Sequence, residues 1–287
     1  MVKMTKDLAW TQIGYLVLNN VDALLLMAFN GPVMVSIYTT YNYILRFLNE
    51  VASRVELSSV YSFGNVFAKK EDDRVYSLFK EFLMLFILIA FSMSITFMIG
   101  IRGFVSVWIG KENYILSYLT VVLFTSTLFL NIMYYPLVAL INADGLFKDN
   151  KKHIFICATT NLVLSIILIN FFGINGILLG TAIAFLVNIL LKTNLVTKKI
   201  LKEVKLINVL KYFIITILLF VILSLILTPV ESYFVSISTG FISTIIKLGI
   251  VFILVTLITM IILYLISNDA KNLFRRILNM LKRKLKK

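Results

Sequence analysis

The chain has 287 residues, is 60% hydrophobic, contains only three prolines and has a mean hydropathy of +0.96. Its apolar runs repeatedly reach the roughly 20 residues needed to cross a bilayer, so a soluble globular domain is excluded and an all-α polytopic membrane bundle is expected. One cysteine, Cys157, and one histidine, His153, exclude a disulfide framework and leave no cluster with metal-ligand spacing. The net charge of +14 is not a nucleic-acid signal here, because Lys and Arg lie between apolar runs and in the last seventeen residues.

In chain order the spanning helices are expected at Leu8–Phe29, Val33–Phe67 (overlong), Phe82–Gly100, Tyr114–Asn142, Ile154–Phe172, Ile174–Leu191, Ile207–Leu227 and Phe241–Ile266, about eight in all. The first is no signal peptide. Its apolar stretch is too long, Asn19, Asn20 and Asp22 interrupt it, and no small-residue cleavage pattern follows. The connecting segments then set the orientation. Lys3 and Lys6, Lys69, Lys70 and Arg74, Lys148, Lys151 and Lys152, Lys198, Lys199, Lys202 and Lys205, and the tail fall on one side. The other side has NGP at Asn30–Pro32, the segment with Arg102 and Lys111, the uncharged FGIN at Phe172–Asn175, and PVESYF at Pro229–Phe234. The positive-inside rule puts both termini in the cytoplasm.

The second segment carries Asn42, Arg46, Glu50 and Arg54 at successive i, i+4 positions, one stripe on which Glu50 can pair with either arginine. Counted at 1.5 Å per residue from Pro32, Arg46 lies roughly 20 Å and Arg54 roughly 33 Å into a core about 30 Å thick. Arg54 and Glu56 therefore fall at the cytoplasmic interface. Arg46 and Glu50 lie deeper and must face protein or water. Two readings stand: an internal ion ladder with Arg46 snorkelling to the interface, or a polar wall of a central cavity.

Tyr15, Asn19 and Asp22 form a matching stripe on the first segment. By the same rise Asp22 is not level with Arg46, while Lys247 in the last segment is closer to its height; an Asp22–Lys247 pair and a snorkelling Lys247 are the two expectations. A water-accessible Asp22 would instead be a proton or cation site. Tyr134, Tyr135 and Pro136 predict a kink with aromatics that either stack on a sugar or only pack. Gly176, Gly180 and Ala184, four apart, predict a small-residue face for close helix packing. The tail KNLFRRILNMLKRKLKK has the pattern of an amphipathic helix on an anionic leaflet.

No G-x-x-x-x-G-K-[ST] phosphate loop is present, no nucleophile and base can be assembled around His153, and the longest outer loop is about a dozen residues. The chain is not expected to be an enzyme or to hold a cofactor, and a polysaccharide polymerase or ligase with a large outer loop is disfavoured.

NVDALLLMAFNGPVMVSIYTTYNYI at Asn20–Ile44 resembles the seventh and eighth helices of the Wzx-type polysaccharide and O-antigen flippases of the MOP (MATE-like) superfamily. SSVYSFGNVFAKKEDDRVYSLFKEF at Ser58–Phe82 is similar to the cytoplasmic joint that follows there, and Asn142–Phe185, with Asn161 and FGINGILLGT, to their later helix pair. The resemblance covers nearly the whole chain through order and spacing rather than a diagnostic motif. It implies a second six-helix lobe over residues 1–195, two added helices over 196–266 and a basic cytoplasmic tail over 267–287, with a first lobe missing.

The resemblance further implies a cavity lined by basic residues that hold the pyrophosphate of a polyprenyl-linked oligosaccharide. Arg46 is the best such residue, with Glu50, Arg54, Asn42, Asn19 and Lys247 as further cavity candidates and Asp22 as a coupling or pairing acid. The expected activity is translocation of the polyprenyl-pyrophosphate glycan across a bacterial cytoplasmic membrane, with membrane lipid, that glycan, and a missing lobe or a second copy as partners. The competitors are a MATE-type drug or cation exporter and a truncated, non-transporting membrane protein.

Overall fold

The computed structural model describes Trp10 and residues 21–285, with the side chains at 72, 73 and 277–285 left out. Among the described residues the regular structure is helical: α1 (Val21–Asn30), α2 (Pro32–Ala68), α3 (Asp72–Ile109), a 3₁₀ turn (Glu112–Tyr114), α4 (Tyr118–Met133), α5 (Tyr135–Ala143), α6 (Phe147–Phe172), α7 (Ile174–Lys199), α8 (Leu206–Ile226), α9 (Thr228–Ser236), α10 (Phe241–Ile266) and α11 (Asn268–Leu285). Among the described residues six stretches are long and apolar enough to cross a membrane: most of α3, α4 with α5, α6, α7, α8 and α10. The protein is an all-α, membrane-embedded helical bundle. These six match the last six segments expected from sequence. The second, α2, is long enough but too polar to count as apolar, and of the first, beyond Trp10, only the stretch from Val21 is described.

The ends of the helices differ from the apolar runs that announced them. α3 extends about ten residues beyond Phe82–Gly100 at either end, because Arg74, Lys80 and Glu81 reach polar surroundings without leaving helical geometry. PVESYF is not loop but most of α9, where Pro229 fits the first turn because its missing N–H would be unbonded there in any case. Glycine makes the tight turns. Gly31, at φ 81°, lets α1 fold directly into α2 ahead of Pro32, and Gly173, at φ 55°, joins α6 to α7. The expected kink is a break: α4 ends at Met133, Tyr134 is left between the two helices, and α5 restarts with Pro136 in its first turn.

The tightest packing is α6 against α7. A Cβ on Gly176 would sit 2.2 Å from the Leu168 carbonyl oxygen, and one on Gly180 would sit 2.6 Å from Ser165 Oγ, so this is the small-residue face and only hydrogen fits. α3 runs through the middle of the bundle, with α4, α10 and α11 against it. At one end Arg102 of α3 holds Glu231 of α9 through both carboxylate oxygens at 3.0 and 3.1 Å. Burial pushes the Glu231 carboxyl up from its ordinary range, and the Arg102 guanidinium pulls against that. At the other end the tail helix α11 turns back onto α3. Ala270, Leu273 and Phe274 are buried there, and Lys80–Asp269 (2.8 Å) and Arg276–Glu81 (3.1 Å) flank the contact.

Candidate functional site

A cavity of about 660 Å³ opens between α1, α2, α4, α5 and α7. The polar positions of α2 build one wall, since Asn42, Arg46, Asn49, Ser53 and Glu56 recur at steps of four and three and share a face. Thr127 and Asn131 of α4 oppose them. Tyr134 and Tyr135 enter where the helix breaks, with Asn142 further along α5. Amides and tyrosines thus outnumber charges. Asn49 Oδ1 and Asn131 Oδ1 are buried without a hydrogen-bond partner among the described residues, which leaves two acceptors open to a hydroxyl or amide.

Asp22 closes the cavity on the α1 side. Its Oδ2 accepts from Tyr38 Oη at 3.1 Å and lies 3.1 Å from the Thr181 hydroxyl, which in turn accepts from Asn161 Nδ2 at 2.8 Å. Thr181 has one proton and two acceptors for it, Asp22 and the Ile177 carbonyl oxygen at 3.1 Å. Beside this chain Asn161 Oδ1 and Ser165 Oγ are buried without partners among the described residues. The Asp22 carboxylate, the Tyr38 and Thr181 hydroxyls and the Asn161 amide therefore meet in one buried spot. Such oxygen donors suit a proton or a hard monovalent cation.

The structure brings Asp22, Asn42, Arg46 and Glu50 together on this cavity. Arg46 and Asp22 interact electrostatically, whereas the count of helical rise put them at different heights. That count treated each helix as upright and starting at a membrane boundary, whereas α2, 37 residues and roughly 55 Å long, exceeds the core of about 30 Å against which it was counted. Arg54 does not line the cavity. It pairs with Glu50 and leaves most of its side chain exposed. The Asp22–Lys247 pair does not form either. Lys247 Nζ donates to the Ile237 carbonyl oxygen at 2.5 Å, because α10 packs on α3 while Asp22 is held against α7. Asn19 and Tyr15 lie outside the described residues.

Of two further charged groups here, one was not expected at the cavity and the other went unread in the sequence. Glu56, expected at an interface with Arg54, is buried in the cavity wall and accepts from Asn142 Nδ2 at 3.3 Å. Lys192 is fully buried, although the apolar run was read as ending one residue earlier. Its ammonium donates to Asn150 Oδ1 and lies 6.0 Å from the Tyr134 ring centroid. The available signal was the spacing of Thr181, Asn188 and Lys192 at steps of seven and four, one polar stripe on α7. Among the described residues the charged groups that line the cavity are thus three acids, Asp22, Glu50 and Glu56, and one base, Arg46, with Lys192 behind the wall.

No protein-family model matches this chain, and no curated protein matches it.

Proposed function

We propose that the chain is a membrane transporter, or half of one, of the Wzx-type flippase class, which moves a polyprenyl-pyrophosphate-linked oligosaccharide across a bacterial cytoplasmic membrane, with both termini in the cytoplasm. One observation carries the reading: a cavity inside a membrane bundle that is walled by amides and tyrosines around Arg46. Asparagine side chains offer a donor and an acceptor to sugar hydroxyls, tyrosine faces accept sugar C–H surfaces, and a guanidinium binds phosphate oxygens in pairs. Asp22 with Tyr38, Thr181 and Asn161 would take the coupling proton or cation.

The test is reconstitution into vesicles with a fluorescent polyprenyl-diphosphate glycan, reading the fraction that reaches the far leaflet. Arg46→Ala is expected to cut the rate at least tenfold at equal protein abundance. An unchanged rate sinks the cavity role.

The surplus of acids on the cavity favours a second reading, a MATE-type exporter of cations. Vesicles that hold an organic cation and a proton or sodium gradient separate the two. Gradient-driven cation efflux, lost in Glu56→Gln and kept in Arg46→Ala, would replace the flippase reading.

A further inference from the structure

The turn that joins α2 to α3 and the tail helix α11 enclose a second, smaller cavity of about 170 Å³. One water takes about 30 Å³ of the liquid, so a group of several heavy atoms fits. Val66 and Leu78, both buried, supply its apolar lining. Around them three cations converge from three elements: Lys69 just past α2, Arg74 in the first turn of α3 and Arg276 of α11. Among the described residues one carboxylate, Glu71, lines the cavity with them.

The described acids do not use up these cations. Arg74 Nη1 meets Glu71 Oε2 at 2.7 Å and Arg276 Nη1 meets Glu81 Oε2 at 3.1 Å, which engages one nitrogen of each guanidinium and leaves the rest of each fork. Among the described residues Lys69 pairs with no acid. Asp72 and Asp73 follow Glu71 in the sequence, and their side chains lie outside the described residues.

The depth of the cavity selects the kind of anion that reaches it. The apolar span α10 ends at Ile266 and α11 leaves from Asn268, so Asp269 and its partner Lys80, 2.8 Å away, mark where hydrocarbon gives way to headgroups. Arg276 is held at this level by Glu81. By helical rise Leu78 lies roughly 3 Å and Arg74 roughly 9 Å beyond Lys80, against a headgroup layer that adds about 5 to 8 Å to each side of the core. Lipid phosphates lie at this depth. A guanidinium binds phosphate oxygens in pairs, an ammonium adds a point charge, and the Asn65 amide on the lining adds a neutral donor. The excess of cations favours a headgroup with net negative charge over a zwitterionic one, whose own cation they would repel. The apolar face of α11 is turned to protein in its first two turns, where Ala270, Leu273 and Phe274 are buried, and this docking is what brings Arg276 to the other two.

We propose that this cavity binds the phosphate of an anionic phospholipid headgroup, which clips the tail helix to the α2–α3 turn. The site stands apart from the transport reading and does not depend on it.

The test uses the full chain in a neutral detergent and reads its thermal midpoint with phosphatidylglycerol or with phosphatidylcholine of the same acyl chains. The expected result is a midpoint several degrees higher with phosphatidylglycerol. Lys69→Gln combined with Arg276→Gln is expected to shrink this difference several-fold, and Lys69→Gln alone, which breaks no ion pair among the described residues, to shrink it as well. Arg275→Gln, which removes an equal charge from an exposed neighbour outside the cavity, is expected to keep it. Because the readout is a difference between two lipids, a general loss of stability in a variant cancels. Inorganic phosphate and glycerol phosphate, added without lipid, are expected to give no such rise. Equal midpoints in the two lipids, the result if Asp72 and Asp73 fill the cavity themselves, overturn the proposal. An equal loss in Arg275→Gln overturns it in favour of diffuse attraction by a basic tail. A rise with free phosphate as large as that with phosphatidylglycerol overturns it in favour of a soluble phosphate ester.

Discussion

α7 and α10 are both 26-residue helices able to cross a membrane, yet they relate to the bundle in opposite ways. α10 is the more apolar, and none of its most apolar stretch is buried; more than half of that of α7 is. In water the ranking would be reversed. In lipid an apolar surface is already among its own kind, so apolarity marks the helix that needs few protein neighbours, while small and polar residues mark the helix that is held by them. α7 carries Gly176, Gly180, Thr181, Asn188 and Lys192, and every one of them is buried. Of these, Thr181 reaches the cavity, where Leu178 and Phe185 complete the α7 wall.

The largest way to break the contrast is to fill the α6–α7 contact. In Gly176→Ala the new methyl meets the Leu168 carbonyl oxygen and the Ile169 nitrogen, atoms of a helix backbone that cannot rotate aside. Forced overpacking costs about 3 kcal/mol at the upper end of its usual range. The thermal midpoint in detergent should fall by several degrees, with Thr181 drawn away from Asp22. An unchanged midpoint would mean that α6 and α7 are not packed this closely.

Next in size is Arg102→Ala, which acts at the α10 end by leaving Glu231 of α9 buried without its partner. Breaking a buried pair costs about 3 to 5 kcal/mol, and less here, about 2, since Arg102 is partly exposed. The pH dependence has a definite sign. Burial already raises the Glu231 carboxyl, and loss of Arg102 raises it further. A group with a raised pKa is most compatible with the fold when protonated, so its stabilising share is complete at low pH and is lost as pH rises through the folded value. The deficit of Arg102→Ala against the parent should therefore be largest near about pH 7 and shrink towards about pH 4.5, the ordinary range of a glutamate. A deficit that stays constant over this interval would place its cause in packing instead.

The same contrast explains what could be read from the sequence. Runs of apolar residues located all six apolar spans, since only the run itself matters to lipid, and the Gly176–Ala184 spacing located the close contact. What escaped was the setting of each helix about its axis. Asp22 and Lys247 looked alike as lone charges in apolar runs, yet one is held by Tyr38 and Thr181 and the other donates to a neighbouring carbonyl. Lys192 went unread just past the apolar run that ends at Leu191, and its partners Asn150 and Tyr134 come from distant parts of the sequence. Packing fixes those rotations, and hydropathy carries no trace of them.

A smaller effect comes from Thr181→Val, which keeps shape and removes the hydroxyl between Asn161 and Asp22. Hydrogen bonds between membrane helices are worth about 0.6 kcal/mol on average and up to about 1.7. The loss should be about 1 kcal/mol in a detergent unfolding titration, because two buried groups lose a partner together. If Asp22 takes the coupling proton or cation, the same variant also shifts the ion dependence of transport. A variant that loses stability but keeps that dependence would confine Thr181 to packing.

The smallest effect is the sharpest comparison with Gly176. A Cβ on Gly100 of α3 would lie 1.9 Å from Leu248 Cδ2 of α10, nominally a worse overlap than at Gly176. The opposing atom, however, is the end of a leucine side chain on a helix with lipid along its other side, and it can change rotamer or slide with α10. Replacing glycine by alanine inside a helix also gains about 0.8 to 1 kcal/mol of intrinsic helix stability. The two contributions nearly cancel, so Gly100→Ala should alter unfolding by less than about 0.5 kcal/mol, within the ordinary range for sites that can adapt. A loss as large as that of Gly176→Ala would show that α10 is gripped as firmly as α7, and the division between protein-held and lipid-held helices would fail at the place where it is drawn most clearly.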